Sequence, residues 1–187
     1  MKNLIAKWNR EPNLKSEMHL ARTNTPLGNI WMGATKEGIC FVDFIDDHEL
    51  ENKTVWLPKL FKMKFIYDES QPFLKQLSAE LEAYFKQELT TFNVPLVSSG
   101  TDFQKQVYKT LMEVPYGSTM TYKQQAAKMG NPKAIRAVAA ANGRNKHLIL
   151  IPCHRIIGND GSLTGYAGGI WRKKALLELE TFGRFFP

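Results

Sequence analysis

The tripeptide Gly130-Asn131-Pro132 constrains this chain more than any other feature. Glycine ends a helix readily, and proline is tolerated only in a helix's first turn. The helical text on either side, Thr121–Met129 and 133–143, therefore forms two short helices that meet at a tight turn. Asn131 is expected as N-cap of the second helix, with Pro132 at its first position and Gly143 closing it. A helix-turn-helix has this outline, with the second helix lying in a DNA groove. A plain helical hairpin packed in a core has it too. The second helix carries Ala134, Ala137, Ala139, Ala140 and Ala141, with Arg136 among them. Small side chains let a helix backbone approach DNA closely, and one long cation there can reach a phosphate or pass between bases.

The rest of the chain divides in two. From His19 to Phe44 the text alternates and breaks at Pro26-Leu27-Gly28-Asn29 and Lys36-Glu37-Gly38, so Asn29–Ala34 and Ile39–Phe44 are expected as strands of a meander. Residues 1–17 are polar and aperiodic and read as a loose arm. Asp46-Asp47 and Glu49–Lys53 read as a charged loop. Phe73, Leu77, Leu81, Tyr84 and Phe85 make a helical stripe over Pro72–Leu89. The segment 92–101, FNVPLVSSGT, reads as a linker. Phe103–Val114 follows as a helix, Leu148–Ile151 as a short apolar strand, Ile156–Gly169 as a loop with five glycines, and Trp171–Glu180 as a last helix. The fold class is α/β (α+β). An N-terminal α/β domain, 18–91, has a small β-sheet and a helix. A mostly helical, winged helix-turn-helix-like C-terminal domain, 102–187, carries the active site.

Charge follows the same division. Residues 100–187 hold 13 Lys+Arg against 5 Asp+Glu, and the first 99 hold 12 against 13, so the net +7 belongs to the second half. A basic half suggests a polyanion partner, and a solvated charged surface would look the same. No run of eighteen apolar residues reads as a membrane span, and the N-terminus lacks the apolar core of a secretory signal. Two cysteines in 187 residues make no disulfide scaffold, which points to a reducing, cytoplasmic setting. His19, His48, His147 and His154 are scattered, so no metal and no cofactor is expected.

The two cysteines read differently. Cys40 lies among Ile39, Phe41 and Val42, as a small buried hydrophobe does. Cys153 follows an apolar run and a proline and precedes His154 and Arg155. Thiols react as thiolates, which cationic or histidine neighbours favour, and a histidine can serve as the base through a water. That histidine needs a carboxylate to fix its tautomer, and the last helix offers Glu178 and Glu180. Reactive and structural readings of Cys153 both remain open on these residues. The loop GNDGSLTGYAGG lacks a phosphate-binding layout and reads equally as a flexible pocket wall, with Tyr166 able to stack on a flat ring.

Taken together, PYGSTMTY (115–122), NPKAIRAV (131–138), NGRN (142–145), IPCHRIIG (151–158) and GSLTGYAGG followed by KKALLELE resemble the O6-alkylguanine-DNA alkyltransferases, also called methylated-DNA–protein-cysteine methyltransferases. The resemblance runs continuously from Phe103 to Glu180 and is thinner before residue 100, where the TPLG strand start and the meander carry it. It implies that Cys153 is the alkyl acceptor, His154 its base through a water, Glu180 the carboxylate orienting that histidine, and Asn145 the brace of the active-site turn. It implies that Arg136 enters the base stack in place of the damaged nucleotide and that Tyr122 pushes on the adjacent phosphate. Ala134, Ala137 and Asn131 would face DNA. Tyr166, Ala167, Gly168 and Asn142 would line the pocket. Some relatives have serine where Ala167 stands, so a hydroxyl contact is lost there. Zinc, found in the N-terminal domain of some relatives, meets no ligand set here.

The implied chemistry fits these residue types. The alkylated base must leave the duplex stack to reach a pocket. Approach through the minor groove carries little sequence information, and affinity then comes from phosphates. The thiolate takes the alkyl carbon in one displacement, and nothing in the sequence could cleave the resulting thioether, so a monomer would act once on double-stranded DNA containing O6-alkylguanine, and less well on O4-methylthymine. Three other readings share parts of this pattern: an alkyltransferase-like binding protein, which would lack the cysteine; a sequence-specific helix-turn-helix factor; and a cysteine hydrolase, which would turn over.

Overall fold

The computed structural model describes residues 2–10, 14, 16–46, 56–97 and 99–184. The chain divides into two compact units, residues 1–82 with 93–97, and residues 83–92 with 98–187.

The first unit is a four-stranded sheet with helices. β1 (Glu17–Thr25), β2 (Gly28–Thr35) and β3 (Gly38–Phe44) form the expected antiparallel meander. β4 (Lys64–Tyr67) adds parallel to β1, giving the order β3-β2-β1-β4. β2 is buried along almost its whole length rather than on alternate residues, as a central strand covered on both faces is. Gly38 sits at φ +143 where a Cβ would stand 2.5 Å from the Pro95 carbonyl oxygen, so both conformation and space select glycine. Cys40 lies in the core with Trp31, Phe41 and Phe65, as expected.

Two expectations fail here. The opening residues are not a loose arm throughout: Lys2–Trp8 form α1, with Leu4 and Trp8 buried in that same core. Leu4 and Trp8 are four apart and so share a helix face, and burying each contributes about 1.5–3 kcal/mol. Asn9 then pairs with β4, its amide donating to the Phe65 carbonyl and accepting from the Phe65 N–H, both at 2.8 Å. The segment 92–101 is not a free linker. The Val97 N–H donates to Ile39 O, and the Ile39 N–H donates to Pro95 O, both at 2.8 Å, while Val94 is buried. The charged-loop reading of Glu49–Lys53 and Asp47 lies outside the described residues. Between it and β4 the sequence reading had no element, and the structure has α2 (Trp56–Phe61).

α3 (Pro72–Phe85) buries Leu74, Leu77, Leu81 and Tyr84 at helical spacing. Its residues to Glu82 belong to the first unit and its last turn to the second. The second unit continues with α4 (Asp102–Met112), β5 (Met120–Thr121), α5 (Tyr122–Lys128), α6 (Ile135–Asn142), β6 (Ile156–Ile157) and α7 (Ile170–Phe182). Both α4 and α5 begin with the same Thr-x-x-Gln capping box, at Thr101/Gln104 and Thr121/Gln124. Val107, Ala126, Val138 and Ala141 join α4, α5 and α6 in one core. β5 and β6 form a short parallel pair. The whole is the expected mixed α/β class, with a sheet-bearing first unit and a mostly helical second.

The second helix of the pair starts later than expected. Asn131 is not an N-cap. Its carbonyl accepts the Ala134 N–H at 3.0 Å, closing a β-turn, and α6 begins at Ile135 with Ala134 as cap residue. Proline suits the second position of such a turn as well as the first turn of a helix. No helix of the described residues is long and apolar enough to cross a membrane, and none of their His, Cys, Asp and Glu side chains form a group of three able to hold a metal ion.

Candidate active site

The chain reaches Cys153 through a buried turn, not the expected strand. Leu148–Ile151 are 1–7% exposed, Ile149 sits at φ +72, and the Ile151 N–H donates to the His147 carbonyl at 2.9 Å. Four apolar residues fit a buried turn as well as a strand, and periodicity cannot separate them. Asn145 holds the turn. Its amide nitrogen donates to Ile151 O at 2.8 Å, and its oxygen accepts the His147 N–H at 2.9 Å. The same nitrogen lies 3.2 Å from Cys153 Sγ, so one buried side chain braces the backbone and aims a donor at the sulfur. Pro152 precedes a single 3₁₀ turn, Cys153–Arg155, in which all three side chains are buried.

His154 is fully buried, and its Nε2 stands 2.8 Å from Glu180 Oε1. A carboxylate only accepts, so Nε2 carries the proton and Nδ1 is left as the basic nitrogen. Nδ1 is buried with no hydrogen-bond partner among the described residues. Arg155 grips the same carboxylate with two donors, Nε to Oε2 at 2.8 Å and Nη2 to Oε1 at 2.9 Å, and gives Nη1 to Val114 O at 2.7 Å. Burial would raise the Glu180 carboxyl, but His154 and Arg155 outweigh it and hold it at about 2. Burial pushes the His154 imidazole below its usual range, against the pull of Glu180. The pair is thus an ionised carboxylate, charge-balanced by Arg155, holding a neutral imidazole.

Lys173 was not anticipated. Its side chain is fully buried and its ammonium donates to Ile156 O and, at 2.8 Å, to Thr164 O in the glycine-rich loop. Burial lowers it to about 8 against an opposing pull from Cys153. Thr164 O also accepts the Tyr122 hydroxyl at 3.2 Å, and the Lys173 ammonium lies 6.0 Å from the Tyr122 ring centroid. The loop is therefore fastened at Thr164 by two donors. Tyr166 in that loop sets its ring edge-on to His154, centroids 6.3 Å apart. Gly168 is buried, Ala167 is exposed, and the Gly168 carbonyl accepts from Arg172 Nη1 at 3.1 Å.

Two family models cover most of the chain. The 6-O-methylguanine DNA methyltransferase DNA binding domain matches residues 102–182, and the ribonuclease-like domain of the same methyltransferase matches residues 18–97. The chain belongs to the 6-O-methylguanine DNA methyltransferase family. A methylated-DNA–protein-cysteine methyltransferase of Methanosarcina acetivorans is 43% identical over 164 residues, 87% of this chain and 98% of that one. An inducible one of Bacillus subtilis is 38% identical, over 81% of this chain and 84% of that one. A crystal structure of Mycobacterium tuberculosis OGT in complex with DNA is 37% identical with a TM-score of 0.75, covering 87% of this chain and 92% of that one.

Within this methyltransferase fold, the residues singled out from sequence fall into two groups. Cys153, His154, Glu180, Asn145, Tyr122 and Tyr166 are linked by the contacts above. Arg136 and Ala137 are exposed on α6, Ala134 is half-buried at its start, and Asn131 is exposed in the turn before it. Asn142 stands apart from both. It is buried, and its amide donates to Gln125 Oε1 at 2.7 Å, tying α5 to α6 instead of lining the pocket. Of the two candidate glutamates, Glu178 pairs with Lys174 at 3.5 Å on the outer side of α7. Lys173, Leu176 and Glu180 recur at three- and four-residue steps, one helix face, and all three are buried. That spacing was the available signal for Lys173.

Proposed function

We propose that this chain repairs double-stranded DNA by taking the alkyl group from O6 of guanine onto Cys153, once per molecule, as a monomer. The observation that carries the reading is the pair of buried contacts at Cys153 and its neighbour His154. Asn145 directs an N–H at the sulfur, and His154, oriented by Glu180, keeps Nδ1 as an unprotonated base. A water between Nδ1 and Sγ would take the thiol proton. The thiolate then attacks the alkyl carbon, forming the S–C bond as the C–O6 bond breaks. The guanine accepts a proton, from Tyr122 in this reading, and leaves. A neutral thioether is not displaced by water at its alkyl carbon, so Cys153 is not regenerated. O4-methylthymine presents the same alkyl–oxygen bond and is the weaker substrate.

The damaged nucleotide leaves the stack to reach this buried sulfur, and Arg136 fills the gap. In support, Arg136 stands exposed on α6 beside the small side chains of Ala134 and Ala137. Minor-groove docking without sequence preference suits that helix.

The test is a mass measurement after incubation with O6-methylguanine duplexes of several sequences. A gain of one methyl on Cys153, saturating at one equivalent whatever the flanking sequence, is expected; unchanged mass with DNA still bound would refute the reading. Arg136→Ala is expected to slow repair of duplex DNA about 100-fold or more while altering reaction with free O6-benzylguanine less than twofold, because the lost insertion matters only when a stack must be opened. Equal losses on both substrates would remove Arg136 from the flipping step.

A further inference from the structure

The Glu180 carboxylate carries one side-chain donor whose part is not explained by holding His154 and balancing charge. Oε1 accepts from His154 at 2.8 Å, from Arg155 at 2.9 Å and from the Tyr84 hydroxyl at 2.7 Å. Oε2 accepts from Arg155 and, at 3.3 Å, from the Gly117 N–H. Tyr84 reaches this oxygen from the last turn of α3, 96 residues earlier in the chain. Its ring is fully buried among Phe85, Phe92 and Tyr116, with centroids at 5.3, 5.4 and 6.0 Å, which fixes where the hydroxyl points.

We propose that Tyr84 is a positioning residue that sets the basicity of His154 through the carboxylate oxygen the two share. The proposal rests on the reading of His154 as the base. A donor on Oε1 stabilises the anion and draws charge from it, so the oxygen becomes a weaker acceptor for the histidine. The imidazolium is then less favoured, and His154 stays neutral to lower pH. The groups facing His154 are Glu180 and Lys173 from α7, Arg155 and Cys153 on its own turn, Tyr166 from the glycine-rich loop, and Tyr84 and Tyr116 around the carboxylate. Burial and the Glu180 charge hold the Tyr84 phenol well above its usual range, so it stays a donor wherever the reaction runs. Tyr84 is the donor on Oε1 that can be removed without leaving a buried charge unpaired.

Tyr84→Phe keeps the ring and removes the donor. In the full-length protein, the single-turnover rate with O6-benzylguanine is measured from pH 4.5 to 8. The half-maximal pH of the acid limb is expected to rise by ~0.5 unit, with the plateau within about twofold of wild type. Placing 3-fluorotyrosine at position 84 alone, a stronger donor, is expected to move the limb the other way. Histidine-labelled NMR reads the His154 titration directly and needs no alkyl transfer, so failure here is distinguishable from failure of the alkyl-acceptor reading. An unmoved His154 midpoint in both variants overturns the proposal. So does an equal rate loss at every pH accompanied by a lower melting temperature, which would make Tyr84 merely structural.

Discussion

The two cysteines of this chain are buried alike, at 3% and 5% exposure, and differ in everything else. Cys40 sits in the sheet of the first unit, where the polar atoms near its sulfur are Thr35 Oγ1 at 3.9 Å and Gly38 O at 3.8 Å, and burial pushes its thiol up. Cys153 sits on a 3₁₀ turn of the second unit with an amide aimed at its sulfur, a neutral histidine beside it and a buried lysine whose charge it favours. If Cys153 is the alkyl acceptor proposed above, burial does not separate a structural thiol from a reactive one. The polar groups carried into the interior with it do.

The comparison breaks most sharply by deletion. Cys153→Ser is expected to abolish alkyl transfer, whereas Cys40→Ala keeps the single-turnover rate within about twofold and costs about 1 kcal/mol of stability in a denaturant melt, an ordinary core truncation. Residual transfer in the Cys153 variant would assign the nucleophile elsewhere. A second cut removes only the donor. Asn145→Ala is expected to slow both alkyl transfer and iodoacetamide labelling of Cys153 about tenfold, the worth of one buried hydrogen bond to a developing charge. Labelling of Cys40 stays unchanged, and parallel slowing of both cysteines would mean general loosening. The smallest effect is in pH. Because burial lowers the folded-state pKa of His154 below its usual 6.5, the base is neutral at pH 7 and charges only as pH falls past that value. The transfer rate is expected to hold from pH 8 to 6.5 and fall below it. A midpoint above 6.5 would show His154 more basic than its burial allows.

Much of this contrast was legible in the text of the chain. Cys40 among apolar residues and Cys153 between proline and histidine already differ, and the two helices around Gly130 follow from local chemistry, although the second starts at Ile135 without the expected Asn131 cap. What escaped were contacts made at long range. Asn9 pairing with β4, Tyr84 reaching Glu180 and Val97 bonding to Ile39 join residues 56, 96 and 58 positions apart, and no local periodicity encodes such pairs. The buried turn at Leu148–Ile151 escaped for a different reason: a four-residue apolar run does not state its own backbone shape. Lys173 escaped because lysines are assigned to solvent by habit, although its spacing from Leu176 and Glu180 placed it on the inner face.

The fastening at Thr164 uses a backbone carbonyl, with Lys173 and Tyr122 both donating to it. Its strength is indifferent to which side chain position 164 carries. The glycine-rich loop can thus be rewritten at that position without unfastening it. A library varying residue 164 can be screened for bulkier alkyl adducts on an anchor that every member retains, which makes this loop an evolvable one.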